Sequence, residues 1–251
     1  MSRVYPSLLD SMEQFVFKSF SIIELTFKIF MPDKVKILDI QELTHDVKQF
    51  KVEKPSGYSF EPGQACEVAI NKEGWTEEKR PFTFTCLPED DHLEFVIKSY
   101  HDHDGVTKEI DSLKVGDELL VDESWGAIQY QGKGIFIAGG AGITPFIAIF
   151  KSLKAQGKVD GNSLLFANKT SKDVILEDWF EKTLGENFIS ILDQEEKEGH
   201  AHGRIDKEFL QKHVSDFKQE FYVCGPEPMI KAVSKALEEL GANPEAIVFE
   251  K

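Results

Sequence analysis

The apolar pattern of this chain changes rhythm once, near residue 132, and that change limits the fold more than any other feature. Before it, from Val35 to about Tyr130, the runs are short and rich in β-branched and aromatic residues: Val35–Gln41, Val47–Glu53, Ala65–Ile70, Pro81–Thr85, Leu93–Ile97 and Glu118–Val121. Thr44-His45-Asp46 reads as a turn between the first two, and Pro55-Ser56-Gly57 and Pro62-Gly63 break the chain after them. Runs of this length and spacing predict an antiparallel β-barrel of roughly six strands, with one helix, Val106–Leu113, opening after Gly105. Beyond Gln131-Gly132-Lys133-Gly134 strands and helices alternate. Ile135–Ala138, Ser163–Ala167, Phe188–Leu192, Phe221–Cys224 and Ile247–Phe249 read as strands. Phe146–Gln156, Glu177–Leu184, Lys207–His213 and Pro228–Leu240 read as helices. That alternation predicts a parallel sheet with helices on both faces. The expected organisation is a barrel domain over residues 31–131 and an α/β domain over 132–251.

Residues 1–30 do not fit this scheme. Phe15, Phe17, Phe20, Ile22, Ile23, Leu25, Phe27, Ile29 and Phe30 make them apolar, but Glu13, Lys18, Glu24 and Lys28 interrupt. No run approaches the ~20 apolar residues of a membrane span, and the pattern is not that of a signal peptide. Met31 is the expected biological start, with a peripheral membrane anchor as the alternative for the first thirty residues. A net charge of −15 argues against a nucleic-acid partner, which demands a basic surface. Cys66, Cys86 and Cys224 are far apart and odd in number, which fits neither a disulfide framework nor an iron–sulfur or zinc spacing. A reducing cytoplasm is the expected location.

Four stretches carry chemistry. In Gly139-Gly140-Ala141-Gly142-Ile143-Thr144-Pro145, glycines follow a strand and Thr144 and Pro145 open a helix, the one as cap, the other in the first turn. Such a turn lets backbone approach a phosphate that faces free helix amides. By itself it equally suits any tight strand-to-helix connection. Arg80-Pro81-Phe82-Thr83 supplies a cation, a flat apolar side chain and a hydroxyl, the three things a bound flavin dinucleotide needs. Taken alone it is also an edge strand with a solvated arginine, and on a straight strand Arg80 and Phe82 face away from Thr83. Gly105-Val106-Thr107 pairs a glycine with a helix start and a hydroxyl, a second phosphate cradle or simply a capped helix. Val223-Cys224-Gly225-Pro226, running on to Met229, ends a parallel strand where open α/β sheets bind ligands. Its thiol can touch a nicotinamide or be an ordinary buried cysteine.

In this order, with the change of rhythm between the second and third, these motifs resemble the ferredoxin–NADP reductase family. The resemblance runs from about Val35 to the end, and is strongest to short bacterial flavodoxin or ferredoxin reductases and oxygenase reductases. It implies that Arg80 and Thr107 hold the flavin phosphates, that Phe82 stacks on the ring and that Thr83 lies near N5, with Pro81, Gly105 and Val106 beside them. The backbone of Val96, Ile97 and Lys98 would line the flavin. Gly139 to Pro145 would take the pyrophosphate of the nicotinamide dinucleotide. Cys224 would sit by the nicotinamide, with Gly225, Pro226 and Met229 around it. Thr83 and Cys224 are thus the catalytic candidates. The cofactor implied is FAD rather than FMN, with NADH or NADPH as cosubstrate. The partner implied is a separate electron acceptor: a ferredoxin, a flavodoxin or an oxygenase component. The rival from another class is a non-catalytic redox-sensing or electron-transfer subunit, like that of dihydroorotate dehydrogenase, which would carry an iron–sulfur cysteine set.

Two departures from the family pattern stand out. Phe82 and Thr83 replace a frequent Tyr and Ser, and Phe249 is followed by Glu250 and Lys251, so an aromatic cover for the flavin is not evident. Donor choice turns on two stretches past the second and third α/β strands. The stretch Asn168-Lys169-Thr170-Ser171-Lys172 offers the cations Lys169 and Lys172 near the adenosine ribose; Asp193 and Glu195 offer carboxylates, which accept from a 2′-hydroxyl and repel a 2′-phosphate. A modest preference for NADH is expected. His101/His103 and His200/His202 resemble metal ligands on paper, but nothing near them in sequence closes a site. They read as solvated histidines, and no metal site is expected.

Overall fold

The computed structural model describes residues 31–100, 105–126 and 128–249. The expectations for residues 1–30, His101, His103, Glu250 and Lys251 lie outside them. The first half contains β1 (Asp33–Thr44), β2 (Val47–Glu53), β3 (Ala65–Ile70), β4 (Arg80–Thr83), β5 (His92–Lys98), α1 (Val106–Asp111) and β6 (Glu118–Val121). Its six strands form one sheet in the order β4-β3-β6-β1-β2-β5. Just past β4 the chain meets the opposite edge: Phe84 bridges Phe95 in antiparallel fashion, and the Thr85 amide donates to the Glu94 carbonyl at 2.9 Å. The two edge strands thus meet, and the sheet closes toward a barrel. Alternate residues point inward, so Phe50, Val68, Phe84, Phe95 and Ile97 share a dry centre, with Phe60 stacked on Phe84 at 4.2 Å. β1 runs through Thr44, which leaves His45-Asp46 as a two-residue hairpin turn.

The second half contains β7 (Gly134–Gly139), α2 (Thr144–Ala155), β8 (Ser163–Asn168), α3 (Glu177–Leu184), β9 (Phe188–Leu192), β10 (Ala201–His202), α4 (Lys207–His213), β11 (Glu220–Cys224), α5 (Glu227–Glu239) and β12 (Ile247–Phe249). The strands are parallel, in the order β10-β9-β8-β7-β11-β12. Period-two alternation loads both faces. Phe136 and Phe166 pack with Phe146 and Phe150 of α2 and Phe180 of α3, while Ile135, Ile137 and Leu165 pack with Leu210 of α4 and Val233 and Leu237 of α5. No described helix is long and apolar enough to cross a membrane.

Two local readings change. Thr144 is not a cap: it is already helical (φ −57, ψ −46), because a 3-10 turn over Gly140–Ile143 starts the helix one turn early. β10, two residues long and joined to β9 alone, is too short to leave a periodic signal in the sequence.

The joining segment is tied down. The Tyr222 hydroxyl, on β11, donates to the Gly132 carbonyl at 2.8 Å and accepts from the Gln131 and Gly132 amides at 2.8 and 2.9 Å. Val47 and Val96 of the barrel enter the same apolar cluster as α2. Beside it lies an ion pair between the halves. Glu94 of β5, 4% exposed, accepts from Lys151 of α2 at 2.8 Å and from the Thr85 hydroxyl at 2.8 Å. Burial pushes the Glu94 carboxyl up, but the Lys151 charge and these hydrogen bonds outweigh it and hold the group below its ordinary value. Lys151→Met strands this carboxylate and should lower unfolding free energy by about 3 kcal/mol, the low end for a broken buried pair. A carboxyl with a depressed folded pKa adds stability that is present above its unfolded pKa and lost as pH falls through the folded one. Urea melts of both proteins should therefore show a gap that is full at neutral pH and shrinks on acidification below the carboxylate range.

Candidate functional site

The sheet order reverses between β7 and β11, and the crevice past their carboxyl ends is where such sheets bind ligands. There a cleft of about 1060 Å³ opens between the two halves. From the barrel it takes Pro81, Phe82, Thr83, Val96, Ile97, Lys98 and Thr107; from the α/β half it takes Gly139, Gly140, Ala141, Gly142, Thr144, Asn168, Lys169, Asp193, Cys224, Gly225, Pro226 and Met229. Residues chosen from distant stretches of sequence thus share one wall.

Five of the chosen residues do not line it. Ile143 and Pro145 face the α/β core, and Val106 faces the barrel core. Gly105 precedes α1 without touching the cleft. Arg80 is half-exposed; it donates to the Lys79 carbonyl at 2.6 Å and lies 3.7 Å from Glu78.

The glycines divide by task. A Cβ on Gly142 would stand 2.4 Å from the Cys224 carbonyl oxygen, and one on Gly139 would stand 2.4 Å from the Met229 sulfur. Gly142 is pressed by the backbone of the turn after β11, whereas Gly139 meets first the end of the flexible Met229 side chain. Gly140 differs: its φ is +52 and a Cβ would meet nothing within 4 Å. It alone of the three leaves open space beside a left-handed backbone, where an anion can approach.

The polar wall has groups that wait for a partner. Asn168 at the end of β8 is 8% exposed, and both its amide atoms are buried without a hydrogen bond among the described residues. Asp193 after β9 has Oδ1 in the same condition. Buried polar atoms are rarely left unpaired unless a ligand or water completes them. Among the described residues, Lys169 is the lining cation with no ion pair; Lys98 holds Asp46 at 2.7 Å, Arg204 lies 3.7 Å from Asp193 and Lys207 holds Glu239 at 2.9 Å. Phe82, Val96 and Cys224 supply an apolar floor. This mixture of apolar surface, unpaired donors and acceptors, and an open glycine fits flavin and nicotinamide dinucleotides.

Sequence reasoning missed Tyr100, Asp173 and the run Gly203-Arg204-Ile205-Asp206-Lys207, which line the cleft too. That run follows the two-residue β10, so only Asp206 left a trace, as the cap that accepts from the Phe209 amide at 2.8 Å. Glu195 is corrected: it does not line the cleft. Its carboxylate accepts the Ser171 amide at 2.6 Å, and that hydrogen bond holds it below its ordinary value. Lys172 also lies outside. His200 is not solvated: its side chain is 7% exposed, with Nδ1 at 3.0 Å from the Ser190 hydroxyl. His202 is exposed, as expected.

Comparison with known proteins agrees with this geometry. Residues 33–122 match the family model of an FAD-binding domain, and residues 136–235 that of an oxidoreductase NAD-binding domain. The reductase component of propane 2-monooxygenase from Rhodococcus jostii (strain RHA1) is 27% identical over 240 residues, 87% of this chain and 63% of that one. NADH nitrate reductase 1 of Oryza sativa subsp. japonica is 30% identical over 249 residues, 83% of this chain and 27% of that one. The chain therefore spans less than two thirds of either relative. NADH–cytochrome b5 reductase 1 of Arabidopsis thaliana is 31% identical over 231 residues, 84% of this chain and 80% of that one. The fold superimposes with a TM-score of 0.76 on a ferredoxin NADP+ reductase from Neisseria gonorrhoeae with bound FAD and NADP, at 19% identity, over 86% of this chain and 97% of that one.

The glycine division is testable. Gly142→Ala should force the β7 and β11 turns apart and lower both the melting temperature and nicotinamide dinucleotide affinity. Gly140→Ala should add only left-handed strain, roughly 1–2 kcal/mol. Calorimetry and ligand titration on the two variants check the order.

Proposed function

We propose that this chain, which belongs to the ferredoxin–NADP reductase family of FAD-dependent, NAD(P)H-using oxidoreductases, passes electrons from NADH to a separate redox protein. The observation that carries the reading is the single cleft that joins Phe82 and Thr83 of one half to Cys224 of the other. Residues 31–131 then act as the flavin domain and 132–251 as the nicotinamide domain. FAD, when bound, supplies hydride acceptance and single-electron release. The chain's own residues position the reactants. Phe82 offers a flat apolar face to the flavin ring, and the Thr83 hydroxyl a hydrogen bond near N5. Val96, Ile97 and Lys98 line it from β5. Thr107 and Arg80 serve its phosphates, Arg80 by turning from Glu78. Gly140 and Ala141 admit the pyrophosphate of the dinucleotide, and Lys169 meets its charge. Cys224, with Gly225, Pro226 and Met229, shapes the nicotinamide end.

NADH is favoured because Asp193, which lines the cleft where Glu195 does not, can accept from a 2′-hydroxyl and repels a 2′-phosphate. Arg204 beside it is the counterweight, but its charge is already engaged by Asp193. The names of several relatives point the same way. For the acceptor, an oxygenase component, a ferredoxin or a flavodoxin fits a one-electron outlet. The net charge of −15 speaks against a strongly acidic ferredoxin, because like charge slows encounter.

Two kinetic outcomes test this. The purified protein should be yellow and reduce ferricyanide with NADH at higher kcat/KM than with NADPH. Asp193→Ser should narrow that ratio by about tenfold, 1.4 kcal/mol in transition-state binding; an unchanged ratio would remove Asp193 from donor choice. Cys224→Ala should slow stopped-flow flavin reduction while FAD stays bound, since small misplacements of reacting groups are costly. An unaltered rate would take the thiol out of the hydride step.

A further inference from the structure

On the rim of the cleft the β1–β2 turn meets the 3-10 turn Ser171–Asp173 that follows β8. His45 Nε2 lies 3.6 Å from Asp46 Oδ2 and 4.0 Å from Asp173 Oδ1, and the three ligand atoms lie within 4.8 Å of one another. These separations are too long for hydrogen bonds. The two His45 separations approach the ~3.4 Å edge of a tetrahedron with metal–ligand bonds of about 2.1 Å.

The remaining oxygen of each carboxylate is already committed. The Thr44 hydroxyl donates to Asp46 Oδ1 at 3.0 Å. The Thr170 amide and hydroxyl donate to Asp173 Oδ2 at 2.9 and 2.6 Å. Partners of this kind orient a ligating carboxylate and leave its other oxygen for the metal. Lys98 also donates to Asp46 Oδ2 at 2.7 Å, which occupies one lone pair of that oxygen and leaves another. Two carboxylates against one ammonium keep the site net negative. An imidazole with two carboxylates suits zinc-class metals, whereas magnesium and calcium take oxygen ligands. The site is empty.

We propose that His45, Asp46 and Asp173 bind one divalent metal ion of the zinc class, with water completing the coordination, and that the ion ties the barrel's hairpin turn to the segment leaving β8. Asp173 lines the cleft, as do Asn168 and Lys169 five and four residues before it. An ion here therefore restrains the dinucleotide wall.

The test uses the full chain with FAD bound, titrated with Zn2+ by calorimetry and with Co2+ by visible absorption. His45→Gln is the deciding variant, because His45 is 62% exposed and its loss leaves the packing intact. Wild type should bind one equivalent, and His45→Gln should bind at least ~10-fold more weakly, the low end of the typical loss for outer-shell partners. Asp173→Asn should weaken binding likewise; should it fail to fold, His45→Gln decides alone. Zn2+ should also raise the melting temperature of wild type and not of His45→Gln. Equal affinity in wild type and His45→Gln overturns the proposal, since the metal then sits on other residues. So does the absence of any binding to wild type at submillimolar Zn2+.

Discussion

The close approach of two turns, one after β7 and one after β11, is the constraint on which the cleft depends. Gly142 rests against the Cys224 carbonyl with no room for a methyl group, and Gly139 packs against the Met229 side chain. Because β7 and β11 are neighbours in the sheet, this contact draws the start of α2 and the start of α5 to one spot. Cys224 then lines one cleft with Phe82 and Thr83 of the barrel. A larger residue at Gly142 would move the floor of the site before it touched any ligand.

A second constraint holds the barrel in register with that floor. Glu94 and Lys151 form a charged bond between β5 and α2, and Tyr222 clamps the backbone that joins the halves. Glu94, Lys151 and Tyr222 do not line the cleft. Asn168 and Asp193 carry buried polar atoms without partners among the described residues, a state that a fold tolerates where a ligand completes it.

Much of this was legible along the chain. Strands such as Val47–Glu53, Ala65–Ile70 and Phe188–Leu192 begin and end where their runs of β-branched and aromatic residues do. α3 and α4 likewise have the bounds their periodicity predicts. The four motifs marked Phe82, Thr107, Gly140 and Cys224, all of which line the cleft. What escaped had weak local signals. β10 is two residues long, so the lining run Gly203–Lys207 behind it had no strand to announce it. Thr144 looked like a cap because Ser and Thr favour that position, but the 3-10 turn before it had already begun the helix.

The sequence by itself determined the class of fold, the order of its parts and the chemistry its motifs can offer, because hydrophobic period and glycine placement are local properties of the chain. Only the tertiary structure decided which charges are free to act. Glu195 and Asp193 are two residues apart, yet one is spent on the Ser171 amide and the other stands in the cleft. His45 meets Asp173 across 128 positions of sequence, and Glu94 meets Lys151 across 57. Partnerships of this kind depend on how the two sheets are brought together, and a carboxylate's strength and availability follow from its partner rather than from its neighbours in the chain.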